Sequence, residues 1–267
     1  MLEYYREVGA YFDEDAAEFD ARYWANPVLQ RMRQVFREEV KRRPFRTALE
    51  VGCGTGLDLA HFARIYPERS FVGVDVSERM VALANQRIGA AELDNARAEV
   101  ASSDDAPGRF GPRAFDLCYV FFGALNTIED LDRTADRLYE ATAPGGSLVL
   151  TFVNRWYVAD IAFGLLRGRG RSAFRRLADR WGGYSPDREL PSRCVSPARV
   201  RRAFGRGGEL VRRRGFSIAY PAWYRAHWLR RLGRVAPLLW TLDEGLNRTP
   251  AWSLGEYALY VFRKTAT

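Results

Sequence analysis

Apolar residues recur along this chain in two alternating rhythms. Short apolar runs at 47–51, 70–75, 96–100, 115–121 and 146–152 predict strands buried on both faces. Between them, apolar positions three and four apart predict helices at 56–66, 77–88 and 130–142. Ser77 stands where it can cap the second helix, ahead of Met80, Val81, Leu83 and Ala84. Strand and helix in strict alternation predict a parallel sheet covered on both faces. The ends of the chain are different. Residues 3–24 interleave Tyr4, Tyr5, Tyr11, Phe12, Phe19, Tyr23 and Trp24 with acids at helical spacing. After Pro27, residues Val28, Met32, Val35, Phe36 and Val40 fall on one helical face, and Pro44 ends that segment. Beyond Asn154 the alternation breaks. Residues 155–192 carry an apolar helix-like stretch from Trp156 to Leu166, a Gly/Arg linker and an amphipathic stretch around Phe174 and Leu177. A helix from Ser196-Pro197 to Phe204, a strand near 215–219, two short helices in 222–246 divided at Pro237, and a strand at 257–262 complete the pattern.

The first strand runs into Leu49-Glu50-Val51-Gly52-Cys53-Gly54-Thr55-Gly56-Leu57, with glycine at every second position. Without a Cβ the backbone can turn sharply and lie directly against a ligand. A dinucleotide fingerprint would need glycine at the sixth position, which is Leu57, so that reading fails. What remains is Glu-x-Gly-x-Gly-x-Gly, followed by Asp75 at the end of the next apolar run. This combination resembles the cofactor site of class I S-adenosylmethionine (SAM)-dependent methyltransferases. The resemblance implies an α/β fold: a Rossmann-like, seven-stranded, mostly parallel, doubly wound sheet with N-terminal helices and a helical insertion after the fifth strand. The parts would be a helical cap over 1–45, a SAM-binding core over 46–154, an insertion over 155–195 and the end of the fold over 196–267.

The same resemblance assigns roles by position. Gly52, Cys53, Gly54 and Gly56 would lie under the amino-acid part of SAM, with Glu50 near its ammonium. Asp75 would accept from both ribose hydroxyls, since one carboxylate can take two donors. Val76 would cover a face of the adenine, and Asp104, or Asp105 beside it, would take the adenine amine. Phe121 and the loop after it would border the sulfonium. Tyr11-Phe12-Asp13-Glu14-Asp15-Ala16-Ala17-Glu18-Phe19-Asp20 resembles the family's lid segment, which makes Tyr11 and Tyr23 lid candidates; a plain amphipathic capping helix is the competing reading. Phe122 to Asn126, with Trp156 and the Arg-rich 164–176 run, resembles a bacterial small-molecule subgroup. Tyr23, Phe122, Asn126, Trp156, Trp223 and Tyr224 are the pocket candidates, with Tyr157 and Trp228 as further walls. The implied product is S-adenosylhomocysteine.

No catalytic base stands out. The histidines are His61, on a helix away from the site, and His227, the weak candidate. No Cys/His cluster has metal-ligand spacing, so no metal is expected. Displacement at a sulfonium carbon expels a neutral leaving group, and positioning with desolvation can carry it.

Charge changes the picture only locally. The chain of 267 residues carries a net charge of +8, and Lys41 and Lys264 are its only lysines. Arginine is dense from 167 to 214, opposed only by Asp179, Asp187, Glu189 and Glu209. Such an excess can steer an acidic partner. Apolar and basic stretches over 156–180 suit either a lid on the acceptor pocket or contact with a membrane surface and a lipid-like acceptor. Nucleic acid (an RNA methyltransferase) is a weaker alternative, because the segment contains no recognisable binding module and the chain has no Asn/Asp-Pro-Pro-Tyr signature. Aminopropyl transfer is disfavoured by the basic surface, and a SAM-binding scaffold by the intact glycine loop. No apolar stretch reaches membrane-spanning length, the N-terminus is too charged for a secretory signal, and three cysteines make no disulfide framework. These features lead us to expect a cytoplasmic enzyme acting on a small, apolar or aromatic acceptor.

Overall fold

In the computed structural model, residues 3–177, 190 and 192–265 are described. Two helices, α1 (Glu3–Trp24) and α2 (Pro27–Lys41), precede the sheet. Then β1 (Thr47–Val51), α3 (Leu57–Ile65), β2 (Ser70–Asp75), α4 (Glu78–Ala90) and β3 (Ala96–Val100) alternate. A short α5 (Ala106–Phe110) leads to β4 (Phe115–Val120), α6 (Leu131–Ala141) and β5 (Thr142–Val153). After β5 come α7 (Val158–Leu166) and α8 (Gly170–Ala173), and later α9 (Pro197–Phe204) and β6 (Gly208–Phe216). Helices α10 (Trp228–Leu232) and α11 (Ala236–Leu246) precede the closing β7 (Tyr257–Lys264).

The seven strands form one sheet in the order β3-β2-β1-β4-β5-β7-β6. Only β7 runs against its neighbours. Alternate strand positions feed two cores. Leu117 and Tyr119 join Phe36, Phe62 and Phe71 on one side, whereas Cys118 and Val120 join Leu138, Phe152 and Phe262 on the other. This burial on both faces explains why the central strands read as continuous apolar runs.

Three details depart from the pattern expected from sequence. Strand β5 begins four residues before 146, because Pro144-Gly145-Gly146 is a bulge within it: Phe115 and Leu117 of β4 face Thr142 and Ser147. The strand expected at 215–219 is β6, seven residues earlier. Arg212, Arg213 and Arg214 hide its alternation, and an edge strand paired only with β7 accommodates them. The helices of 222–246 part at Gly233, with φ of +48°, and Pro237 instead occupies the first turn of α11, where no N–H is needed.

Helix α1 is fastened across the carboxyl edge of the sheet by its acids. Asp13 accepts from Ser77 Oγ at 2.5 Å and from the Arg79 amide at 3.0 Å. Asp20 accepts from Thr55 Oγ1 at 2.6 Å and also pairs with Arg87. One turn before Asp13 the helix lies so close to the end of β2 that a Cβ on Gly9 would stand 2.6 Å from the Val76 carbonyl oxygen. Gly9→Val is therefore expected to lift α1 off this edge. Amide hydrogen exchange should show faster exchange across residues 5–20 with the sheet unchanged; equal exchange in the two proteins would refute the tight docking.

Candidate active site

The loop after β1 is shaped by its backbone. Gly52 takes φ of +69°, and a Cβ there would lie 2.4 Å from the Ala124 Cβ. The Gly52 and Cys53 amides both donate to the Val74 carbonyl, at 2.8 and 3.1 Å, which ties the loop to the end of β2. At that end the Gly54 amide donates to Asp75 Oδ2 at 2.9 Å and the Ser77 amide to Oδ1 at 3.0 Å. Burial raises the Asp75 carboxyl above its usual range, and these amides oppose the rise. Each oxygen keeps a further lone pair, and Asp75 lines a cavity of about 510 Å³.

Glu50, Gly52, Cys53, Gly54, Asp75 and Val76 share this cavity with Tyr23, Phe121, Phe122, Trp223, Tyr224 and Tyr257. Phe12, Asp15 and Phe19 of α1 contribute to its walls. Phe122 holds φ of +50°, rare for a side chain of that size, and its ring lies 6.5 Å from that of Tyr257. The Arg33 guanidinium sits over both Tyr23 (4.2 Å) and Phe122 (4.7 Å). The cavity thus joins a polar glycine loop to an aromatic chamber.

One wall of the cavity is a buried charge cluster. Asp58 accepts from Arg33 Nη1 at 2.9 Å and Arg37 Nε at 2.7 Å. Glu50 accepts from the Tyr119 hydroxyl at 3.0 Å. Burial, then the Asp58 charge, pushes the Glu50 carboxyl well above the usual carboxylate range. A cation placed against Glu50 would favour its ionised form and lower that pKa. Binding of an ammonium-bearing ligand is thus expected to release a proton and to tighten as pH rises toward the free protein's Glu50 pKa. Calorimetric titration in two buffers of different ionisation enthalpy measures this, and Glu50→Gln should abolish the difference. Cys53 is also buried, and its thiol is pushed well up by burial and by Asp75, so it contributes a neutral wall.

Several residues singled out in the sequence lie elsewhere. Gly56 caps α3 at φ of +75° and packs on Ala84, where a Cβ would lie 3.0 Å from the Ala84 Cβ; it serves helix packing. Asp104 is buried but committed: it accepts from Thr134 Oγ1 at 2.8 Å and pairs with Arg133 at 3.2 Å. Asp105 caps its own turn through Ser102, so Ser102 and Ser103 line the cavity instead of either acid. Asn126 is a buried brace, donating to the Val153 and Arg193 carbonyls and accepting from the Val153 amide. Tyr11 packs with Val8 and Leu190 against Val76, outside the cavity lining. Trp156 is 44% exposed, and Tyr157 is buried under Arg176. Trp228 packs on Phe163, with His227 beside it, and none of these lines the cavity. His61, held near pKa 4 by burial, is likewise outside. Phe19 lies in the expected lid segment, whereas Arg33, Asp58 and Tyr257 are site residues that the sequence pattern did not single out. A charged residue at position 33, beside Met32 on the buried face of α2, was the one available signal.

A doubly wound sheet in this order, with an antiparallel seventh strand, a glycine loop after β1 and a carboxylate after β2, is the arrangement expected of a class I SAM-dependent methyltransferase. Residues 48–146 match the family described as methyltransferase domain. It is similar to trans-aconitate 2-methyltransferase of Deinococcus radiodurans, 34% identical over 111 residues that cover 42% of this chain and 39% of that enzyme. It is also similar to demethylmenaquinone methyltransferase of Symbiobacterium thermophilum, 28% identical over 61% of this chain and 64% of that one. Less than two thirds of either relative is spanned. Among solved structures, geranyl diphosphate C-methyltransferase from Streptomyces coelicolor superposes over the whole chain and 99% of its own, with a TM-score of 0.62 at 14% identity, which shows a shared fold.

The residues present fit SAM. Asp75 offers one lone pair on each of two buried oxygens to a vicinal diol, and Gly52 leaves no room for a side chain where the loop meets the cavity. Glu50 is the acid that an ammonium would ionise, since Asp58 is paired with Arg33 and Arg37, and Val76 is an apolar wall. Among the described residues no group of three or more His, Cys, Asp or Glu is placed to hold a metal, and no helix is long and apolar enough to cross a membrane.

Proposed function

We propose that this chain transfers the methyl group of SAM to an oxygen, nitrogen or carbon of a small, apolar or aromatic acceptor. The observation that carries the reading is one continuous cavity running from the glycine loop and Asp75 to the chamber of Tyr23, Phe122, Trp223, Tyr224 and Tyr257. Bound there, SAM would supply an electrophilic methyl on a sulfonium with a neutral leaving group. The chain contributes placement. Asp75 and the Gly54 loop fix one ligand, and the aromatic rings orient the other and exclude water. The lining carboxylates serve other partners: Asp15 pairs with Arg22, and Glu50 accepts from Tyr119. Tyr224 donates its hydroxyl to Asp160 at 2.7 Å, which, with burial, keeps it from acting as a base. Catalysis then rests on proximity, and an acceptor that is nucleophilic without deprotonation suits it best.

Calorimetric titration with SAM and S-adenosylhomocysteine tests the reading. Binding of both supports it, and binding of neither to the folded chain overturns it. A second reading places 156–180, of which 178–180 lie outside the described residues, against an anionic membrane surface. It is favoured by Leu166, 82% exposed beside Arg167, and by the exposed Leu165. Sedimentation with phosphatidylglycerol vesicles, reversed by salt, would support it.

A further inference from the structure

A second, smaller cavity of about 220 Å³ adjoins the aromatic chamber, and Tyr224 lines both. Four arginines line it, Arg167, Arg169, Arg175 and Arg225, and among the described residues Asp160 is the one acid in its lining. That carboxylate is already engaged. Its oxygens accept from the Tyr224 hydroxyl at 2.7 Å, Arg225 Nη2 at 2.6 Å and Arg176 Nε at 3.2 Å, with Arg175 at 3.6 Å. Arg225 is further held by the Phe163 ring, 4.6 Å away. Arg167 and Arg169 lie at the exposed rim, and no carboxylate among the described residues is within ion-pair distance of either. A concave wall with this imbalance concentrates positive potential. Guanidinium forks match carboxylate and phosphate oxygens, two donors at a time.

We propose that this cavity binds an anionic group, phosphate or carboxylate, carried by the methyl acceptor, whose apolar body lies against Tyr224 and Trp223 in the aromatic chamber. The inference rests on the methyl-transfer reading and adds the class of acceptor: an amphiphilic anion. The buried pair of Arg176 and Glu256 lies behind Asp160.

The test uses the full chain, with and without S-adenosylhomocysteine, titrated with 1-naphthyl phosphate, 1-naphthol and inorganic phosphate. Naphthyl phosphate is expected to bind at least about tenfold more tightly than naphthol, and inorganic phosphate to displace it. The variant Arg167→Ala/Arg169→Ala, altered only at the exposed rim, should lose that preference while binding S-adenosylhomocysteine as before. Equal binding of the two naphthyl compounds, a preference retained in the variant, or phosphate that fails to compete would each overturn the proposal. Capture of the wild type but not the variant by phosphatidylglycerol vesicles, without aryl-phosphate preference, would overturn it in favour of a lipid surface. Loss of S-adenosylhomocysteine binding with the preference intact would sink the methyl-transfer reading alone.

Discussion

Replacing Asp75 by alanine is expected to weaken S-adenosylhomocysteine binding about 100-fold, or roughly 2.7 kcal/mol, in a chain that remains folded. The magnitude follows from two hydrogen bonds between ribose hydroxyls and one buried carboxylate, each worth about 1.5 kcal/mol net. The fold survives because Asp75 is not a stabilising charge. Burial raises its carboxyl above the usual range, so ionising it costs free energy on folding. The Gly54 and Ser77 amides lose their acceptor: Gly54 lines the cavity, where water can replace it, whereas the buried Ser77 amide is left unpaired at a cost of about 1–3 kcal/mol. A 2′-deoxy form of the ligand separates the effect on the ribose from any loop disturbance. Alanine should cost that analogue less than the parent. Unchanged affinity for the parent ligand, in a variant with wild-type circular dichroism, would remove Asp75 from the site.

The reason Asp75 was readable lies in locality. Strand, glycine loop, strand and acid lie within 29 residues, 47–75, and each leaves its mark on the residue pattern. The charge cluster beside it leaves none, because Arg33 and Arg37 come from α2, Asp58 from α3 and Glu50 from β1, and only the closed fold makes them neighbours. Asp104 fails for the same reason in reverse. Its position after β3 is as expected, but Thr134 and Arg133 on α6 claim its oxygens, a competition invisible in the segment itself. Helix α1 combines both cases. Its aromatics and acids at helical spacing fit either a lid or an amphipathic capping helix, and Asp13 and Asp20 reach Ser77, Thr55 and Arg87 of the core and make the helix a wall of the cavity. The edge strand β6 was masked by its own arginines, since alternation is demanded only where one face is buried, and Arg212 and Arg213 are both exposed.

The largest stability effect is expected at Arg176. Its side chain is only 3% exposed, and it donates to Asp160 Oδ2 (3.2 Å), Glu256 Oε1 (3.4 Å), the Tyr224 hydroxyl (3.3 Å) and the Asn154 carbonyl (3.3 Å). These partners come from α7, the end of β5, the segment before α10 and the residue before β7, so one guanidinium joins the insertion to the sheet. Arg176→Met would leave the buried Glu256 carboxylate without its arginine partner, while Asp160 keeps Arg225 and Arg175, at a cost of about 3–5 kcal/mol. The sign of the pH dependence follows from Glu256. Burial pushes its carboxyl up to about 7, with Arg176 the main opposing influence. A carboxyl raised on folding favours the folded state below its unfolded pKa of about 4.5, and that advantage fades as pH rises through 7. Without Arg176 the Glu256 pKa rises further, so the variant should lose more stability at pH 8 than at pH 5.5, where Glu256 is protonated in both proteins. Urea denaturation at the two pH values reads the difference directly. Adding Glu256→Gln to Arg176→Met should recover much of the loss at pH 8, since it removes the charge that the arginine was compensating. An equal loss at both pH values, or no recovery in the double variant, would show that Arg176 contributes by packing on Tyr157 and not by its charge.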